Sequence, residues 1–154
     1  MEVHFVFRKS EGQACTHDQY LVIGQRIKEG DSNAELDKIF GEQIQLPTRY
    51  YPFPMVSQFT ISNVLKNANE ASYRYLGSLT APAELGCTPP GNPIEQLASG
   101  YFPEVVLWVV LQPTLQMSKA QIAHFQALFP NGDARGPQAI KSRSVVKTKQ
   151  FDPP

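Results

Sequence analysis

Four cationic side chains near the C-terminus form the clearest chemical pattern in the sequence. Lys141, Arg143, Lys147 and Lys149 all occupy odd positions. Because side chains of a β-strand alternate between two faces, a strand here would place all four cations on one face, where they could contact the phosphates of a nucleic acid. An edge strand that lysines protect from aggregation gives the same pattern. This second interpretation is favoured, because no aromatic residues alternate with the cations.

A short proline-containing segment concentrates side chains that are common at binding surfaces. Pro52 and Pro54 stiffen it, which lowers the entropy cost of ordering the segment on binding. Tyr, Arg and Met are enriched at protein interfaces, so the segment is a candidate surface for a protein partner or for self-association. A loop folded over the sheet, with its rings in the core, is the open alternative. The candidate binding residues are Arg49, Tyr50, Tyr51, Phe53 and Met55.

The residues that could bind a metal or act as nucleophiles form no recognisable site. Cys15 and His17 are two residues apart with Asp18 beside them, but no second pair follows at zinc-finger spacing. Cys87 lies in an expected loop, and nothing nearby in the sequence would activate its thiol toward a base such as His124. The chain also lacks the G-x-S-x-G, Walker, H-E-x-x-H and dinucleotide-binding patterns. The sequence therefore predicts no catalytic residue, no metal and no cofactor.

The composition is typical of a single soluble globular domain covering residues 1–154. The chain has 42% hydrophobic and 18% charged residues, enough for a core without disulfides. Its 14 basic and 14 acidic residues cancel, which argues against general binding of polyanions, although residues 113–154 are basic. No signal sequence or membrane span is recognisable, and the two cysteines are expected to be free thiols in the cytoplasm.

Apolar patterns predict the strands. Val3, Phe5 and Phe7 alternate with Glu2, His4 and Arg8, as in a half-buried strand. Residues 20–23 are a continuous apolar run, so the two segments are expected to pair as a hairpin. Residues 105–111, around Trp108, are apolar at every position and predict a central strand whose side chains are nearly inaccessible. Residues 140–151 predict a last strand.

Capping patterns and apolar spacing predict the helices. Residues 32–35 and residues 118–121 each fit a capping box ahead of an apolar stripe. Between them, apolar residues at spacings of three and four predict the longest helix, which begins after Ser57 and ends near Gly77. The element order predicts an α+β fold, with a mixed or largely antiparallel sheet of about four to five strands and about two to four helices.

These patterns favour a non-catalytic binding domain that recognises another macromolecule through residues 49–55. The expected partner is a protein, as for an accessory or immunity-type factor. The first alternative is a small-molecule site or an enzyme, with a pocket beside the Trp108 strand. Binding of nucleic acid by the basic C-terminal strand is the second alternative.

Overall fold

A computed structural model describes residues 1–9, 19–40, 58–65, 70–80, 106–132, 134 and 136–149. The candidate binding segment 49–55 and the residues Cys15, His17 and Cys87 lie outside these ranges. The elements are β1 (Glu2–Lys9), β2 (Gln19–Glu29), α1 (Ala34–Phe40), α2 (Ile61–Val64), β3 (Ser72–Gly77), β4 (Val106–Met117), α3 (Lys119–Leu128) and β5 (Val146–Thr148). No helix in this part of the chain is both long and apolar enough to span a bilayer.

The strands form one mixed five-stranded sheet in the order β1-β2-β4-β3-β5. The first two strands pair antiparallel, which confirms the expected hairpin, and His4 lies opposite Gly24. The second strand runs parallel to β4, whereas β3 is antiparallel to both β4 and β5. β4 is therefore the central strand, as its continuous apolar run predicts. A mixed sheet with a few helices is thus confirmed.

The two faces of the sheet carry different cores. On one face, Ile27 and Met117 pack with residues of the helices, including Leu36 of α1 and Val64 of α2. Val3, Phe5 and Ile122 of α3 pack against this cluster, so the helices cover this face. On the other face, Val22, Val106 and Trp108 form a second cluster. Even-numbered residues of β1, such as Glu2 and His4, point to this second face because strand side chains alternate.

The buried carboxylate of Glu35 connects α1 with the segment around α2 through hydrogen bonds. Glu35 accepts hydrogen bonds from the Thr60 amide at 2.6 Å, from Asn63 Nδ2 at 3.1 Å and from Lys38 Nζ at 2.9 Å. These donors lower the pKa of Glu35 to about 2, with the Lys38 bond as the largest cause. Glu35 therefore does not complete a capping box with Ser32. Asn33 caps α1 instead, and its Oδ1 accepts from the amides of Glu35 and Leu36.

The second predicted capping box is confirmed, and its glutamine also contacts the start of α1. Ser118 accepts from the Gln121 amide, and Gln121 Oε1 accepts from the Ser118 amide. The same Gln121 side chain also contacts α1, because its Oε1 accepts from the Asn33 amide at 3.0 Å and its Nε2 donates to the Asn33 carbonyl and to Asp37. Gln121 is 7% exposed and joins the starts of α1 and α3.

The prediction of a long helix that ends near Gly77 is wrong. Among the described residues of 58–80, only Ile61–Val64 is helical, and Ser72–Gly77 is the strand β3. Tyr73 and Tyr75 alternate with polar Ser72 and Arg74, a period that also fits a strand, and pairing with the central strand β4 decides between the two patterns. Leu76, assigned to the apolar face of that helix, is 69% exposed.

The Trp108 strand is buried less uniformly than its sequence suggests. Trp108, Val106 and Val109 are buried, as predicted, but Leu107 is 43% exposed and Val110 is half-buried. Leu107 lies level with Leu76, at the end of β4 remote from Met117. The described helices pack at the Met117 end of that face, so a residue at the opposite end receives no cover from them.

The prediction of a continuous C-terminal strand is also wrong. Only Val146–Thr148 forms β5, and residues 141 and 142 lie in a turn in which Lys141 has a φ of 52°. The Arg143 amide donates to the Ile140 carbonyl, which closes this turn. Local hydrogen bonds thus replace the ladder that a strand would need, and the four cations do not share one strand face.

Candidate functional site

A cavity of about 450 Å³ opens on the sheet face opposite the helices. β1, β3 and β4 supply its floor, because even residues of β1 and β4 and odd residues of β3 share this face. The segments 78–80 and 136–145 supply its walls. The volume lies in the range of small-molecule sites. Its lining includes Glu2, His4, Tyr75, Leu79, Trp108 and Arg143.

Trp108 is the fixed element of the floor. Its indole Nε1 donates to the Ser78 carbonyl at 3.0 Å, and its ring is stacked with Tyr75 at 10° between planes and 6.2 Å between centroids. Gly77 allows this arrangement, because a Cβ there would lie 3.1 Å from Trp108 Cδ1 and 3.0 Å from the Tyr75 ring. The buried indole therefore orders the chain from β3 into residues 78–80.

His4 stands beside Trp108 and next to a carboxylate. The two rings meet edge to face, with centroids 4.9 Å apart and planes at 77°. His4 Nε2 lies 3.6 Å from Glu2 Oε2, so the pair becomes an ion pair when the imidazole is protonated. Glu2 is exposed and His4 is half-buried. The contact with Trp108 thus holds the His4 imidazole in place in the cavity lining.

Arg143 brings a positive charge to the wall formed by residues 136–145. Its Nη1 donates to the Ala139 carbonyl at 2.7 Å, which holds the side chain across its own turn and against the cavity. The charges of Glu2 and Arg143 both act on Tyr75. Burial and the Glu2 carboxylate raise the pKa of its hydroxyl, and Arg143 opposes them. Among its described lining residues, the cavity therefore combines aromatic side chains with a guanidinium, an imidazole and a carboxylate.

The structure separates the four predicted phosphate contacts. Arg143 lines the cavity, Lys147 lies in β5 with its Nζ 5.7 Å from the Tyr73 ring centroid, and Lys141 and Lys149 are exposed. Contact with phosphate stays a prediction for these residues, and binding through residues 49–55 is likewise untested. Sequence reasoning missed His4 and Tyr75. Alternation in β1 does place His4 on one face with Glu2, but the incorrect helix hid Tyr75.

The two histidines that the structure describes, His4 and His124, lie on opposite faces of the sheet. The sequence contains three: His4, His17 and His124. His4 points into the cavity, whereas His124 belongs to α3, which packs on the other face through Ile122. Within the described ranges, no three side chains of the types His, Cys, Asp and Glu are grouped to hold a metal ion. Among the described residues of the lining, His4 offers an imidazole nitrogen and Glu2 a carboxylate as ligand atoms.

Comparison with known proteins gives a fold likeness. No protein-family model matches the chain. Mouse carbonic anhydrase 15 is 26% identical over 140 residues, which is 86% of this chain and 38% of the mouse protein. A hyperthermostable carbonic anhydrase from a hydrothermal vent chimney superposes with a TM-score of 0.66 at 26% identity, over 98% of this chain and 54% of that one. The Thermovibrio ammonificans α-carbonic anhydrase, solved with the inhibitor sulfanilamide, gives 0.64 and 24%, over 94% and 52%.

The chain thus has an α-carbonic-anhydrase-like fold and spans about half the length of the solved structures that it matches. This likeness contradicts the prediction of a non-catalytic domain that recognises a macromolecule, because the similar proteins are enzymes. It agrees better with the alternative expected from the sequence, a small-molecule site or enzyme beside the Trp108 strand. A protein partner and self-association gain no support.

Proposed function

We propose that this chain binds a small molecule in the cavity beside Trp108. The observation that carries the proposal is the cavity itself, about 450 Å³ in volume and lined by Trp108, Tyr75, His4 and Arg143. Aromatic walls with a few convergent polar groups are the usual composition of small-molecule sites. The small inhibitor named with the Thermovibrio ammonificans enzyme supports a ligand of this size. We also propose that residues 1–154 form one α+β domain.

The lining favours a small planar anion as the ligand. Trp108 and Tyr75 are stacked and offer flat surfaces on which an aromatic ring can pack. Arg143 offers a guanidinium, whose planar arrangement of donors matches a carboxylate. Glu2 repels an anion, so the acidic group of the ligand would lie toward Arg143 and away from the Glu2–His4 pair.

Carbonic anhydrase activity is not part of this proposal. Carbonic anhydrases are the standard example of catalysis by a zinc ion that three histidines hold, and the ion supplies a hydroxide nucleophile near neutral pH. The residues of this chain do not fit such a centre, because His4 and His124 lie on opposite faces of the sheet. No catalytic step is therefore derived through zinc.

Benzoate is a suitable probe, because it combines an aromatic ring with a carboxylate. Isothermal titration of the wild-type chain should give saturable binding with a Kd on the order of micromolar to millimolar, the range expected for a ligand of this size. Arg143→Gln should weaken binding several-fold. Lys149→Gln is the matched control, because it removes an exposed cation of the same segment outside the cavity lining.

Two results would contradict the proposal. The first is the absence of saturable benzoate binding by a folded wild-type chain. The second is an equal loss of affinity in Arg143→Gln and Lys149→Gln, which would indicate general attraction to positive charge and no specific contact in the cavity. Thermal melts of both variants identify any loss that comes from unfolding.

A further inference from the structure

The distribution of histidines bears on whether the proposed ligand site needs a metal. A zinc ion held by histidine nitrogens has bonds of about 2.0–2.1 Å, so the nitrogens of one site lie within roughly 3.5 Å of one another. Three histidine ligands from this chain would have to be His4, His17 and His124, because the sequence has no others. The position of His4 relative to His124 therefore decides the question, whatever the position of His17.

The sheet stands between His4 and His124. His4 lines the cavity with Glu2 and contacts the Trp108 ring. Its neighbours in β1, Val3 and Phe5, point the other way and pack in the cluster that also receives Ile122 of α3. His124 is two residues further along α3, with its Nε2 buried. The sheet and the side chains packed against Ile122 therefore separate the two imidazoles, which cannot reach one ion.

We infer that this chain cannot assemble a three-histidine zinc centre from its own residues, and that ligand binding in the Trp108 cavity does not require zinc. The second part rests on the function proposed above, whereas the first rests only on the histidine count and the two faces of the sheet. Glu2 already lies beside His4, so the described cavity offers an imidazole and a carboxylate. Stable zinc centres in proteins generally need three or four protein ligands.

Two measurements on the full 154-residue chain test this inference. In the first, the chain is incubated with zinc chloride, dialysed and assayed for bound metal by mass spectrometry, together with His4→Gln and His124→Gln. We expect no stoichiometric zinc in the wild-type chain and no difference among the three proteins. In the second, benzoate binding is measured with excess EDTA and with added zinc, and the two Kd values should agree within about twofold, a difference below 0.5 kcal/mol.

One equivalent of retained zinc that both His4→Gln and His124→Gln release would overturn the inference. Loss of benzoate binding in EDTA, restored by zinc, would overturn it as well. Its failure can be told apart from failure of the proposed function. A chain that binds benzoate under neither condition contradicts the proposed function, and the zinc assay then decides the three-histidine inference by itself.

Discussion

The His4 imidazole and the Trp108 indole meet edge to face across an intervening strand, with ring centroids 4.9 Å apart. His4 lies in β1 and Trp108 in β4, with β2 between them. The contact forms above Gly24 of β2, where an added Cβ would lie 3.6 Å from both side chains. A glycine at this position therefore lets two residues that are not on neighbouring strands touch at the cavity floor.

The size of the side chain at Gly24 should control this contact. Gly24→Ala adds a methyl group at ordinary van der Waals distance and should change the free energy of unfolding by less than about 1 kcal/mol. Gly24→Leu must push the two rings apart and should cost about 1–3 kcal/mol through overpacking. Trp108 is the only tryptophan, so its fluorescence and near-ultraviolet circular dichroism report on the site directly. Unchanged spectra in Gly24→Leu would contradict the described contact.

Two residues on the same face of β4 should differ sharply in their effect on stability. Val109 is 6% exposed, whereas Leu107 is 43% exposed. Val109→Ala should destabilise the chain by about 1–3 kcal/mol, because it leaves a cavity in a packed core. Leu107→Ala removes a larger side chain but should cost less than about 1 kcal/mol, because much of that side chain is already in water. Urea denaturation measures both, and a greater loss for Leu107→Ala would contradict the observed difference in burial.

Glu35 should make stability depend on pH in acid. Its pKa is lowered from 4.5 to about 2 in the folded chain, mainly by the hydrogen bond from Lys38. The carboxylate therefore stabilises the fold fully above about pH 4.5, and this contribution is lost as the pH falls toward 2. Melting temperatures between these pH values should decrease less steeply in Glu35→Gln than in wild type. Glu29→Gln, at an exposed glutamate, is the control, and equal slopes in both variants would refute the role of Glu35.

Gln121 should matter more to stability than its position on a helix suggests. It completes the capping box of α3 and also contacts Asn33 and Asp37 of the α1 region. Gln121→Ala should cost about 1–3 kcal/mol, because it leaves buried amide and carbonyl groups without partners. Gln126→Ala, on an exposed position of the same helix, should stay within about 0.5 kcal/mol of wild type. Equal effects in chemical denaturation would show that the link between α1 and α3 contributes nothing.

Local patterns in the sequence predict those parts of the fold that short-range physics determines. The alternation around Val3 and Phe5, the apolar run around Trp108 and the capping box at Ser118 all give the observed elements. Residues 72–77 do not, because the spacing of Ala71, Tyr75 and Leu76 fits a helix and the alternation of the tyrosines fits a strand. Only pairing with β4, more than 30 residues away, decides between these periods.

The candidate site is less predictable than the fold, because segments that are far apart in the sequence form it. His4, Tyr75 and Arg143 come from β1, β3 and the turn before β5, and no local pattern relates them. The sequence does single out Arg143 as a cation and Trp108 as the centre of the main strand. Their meeting depends on strand order, in which β4 lies between β2 and β3. This order follows from long-range pairing that a single sequence does not display.

The most direct test of ligand binding beside Trp108 is a benzoate titration followed by nuclear magnetic resonance. The single indole N–H of Trp108, which donates to the Ser78 carbonyl, gives one resolved signal, and the three histidine rings can be followed in the same sample. We predict saturable shifts of the Trp108 indole and the His4 ring with one common Kd, whereas the His124 ring on the opposite face stays unchanged. Saturable shifts confined to signals other than Trp108 and His4 would contradict the account, as would a titration without any saturable shift.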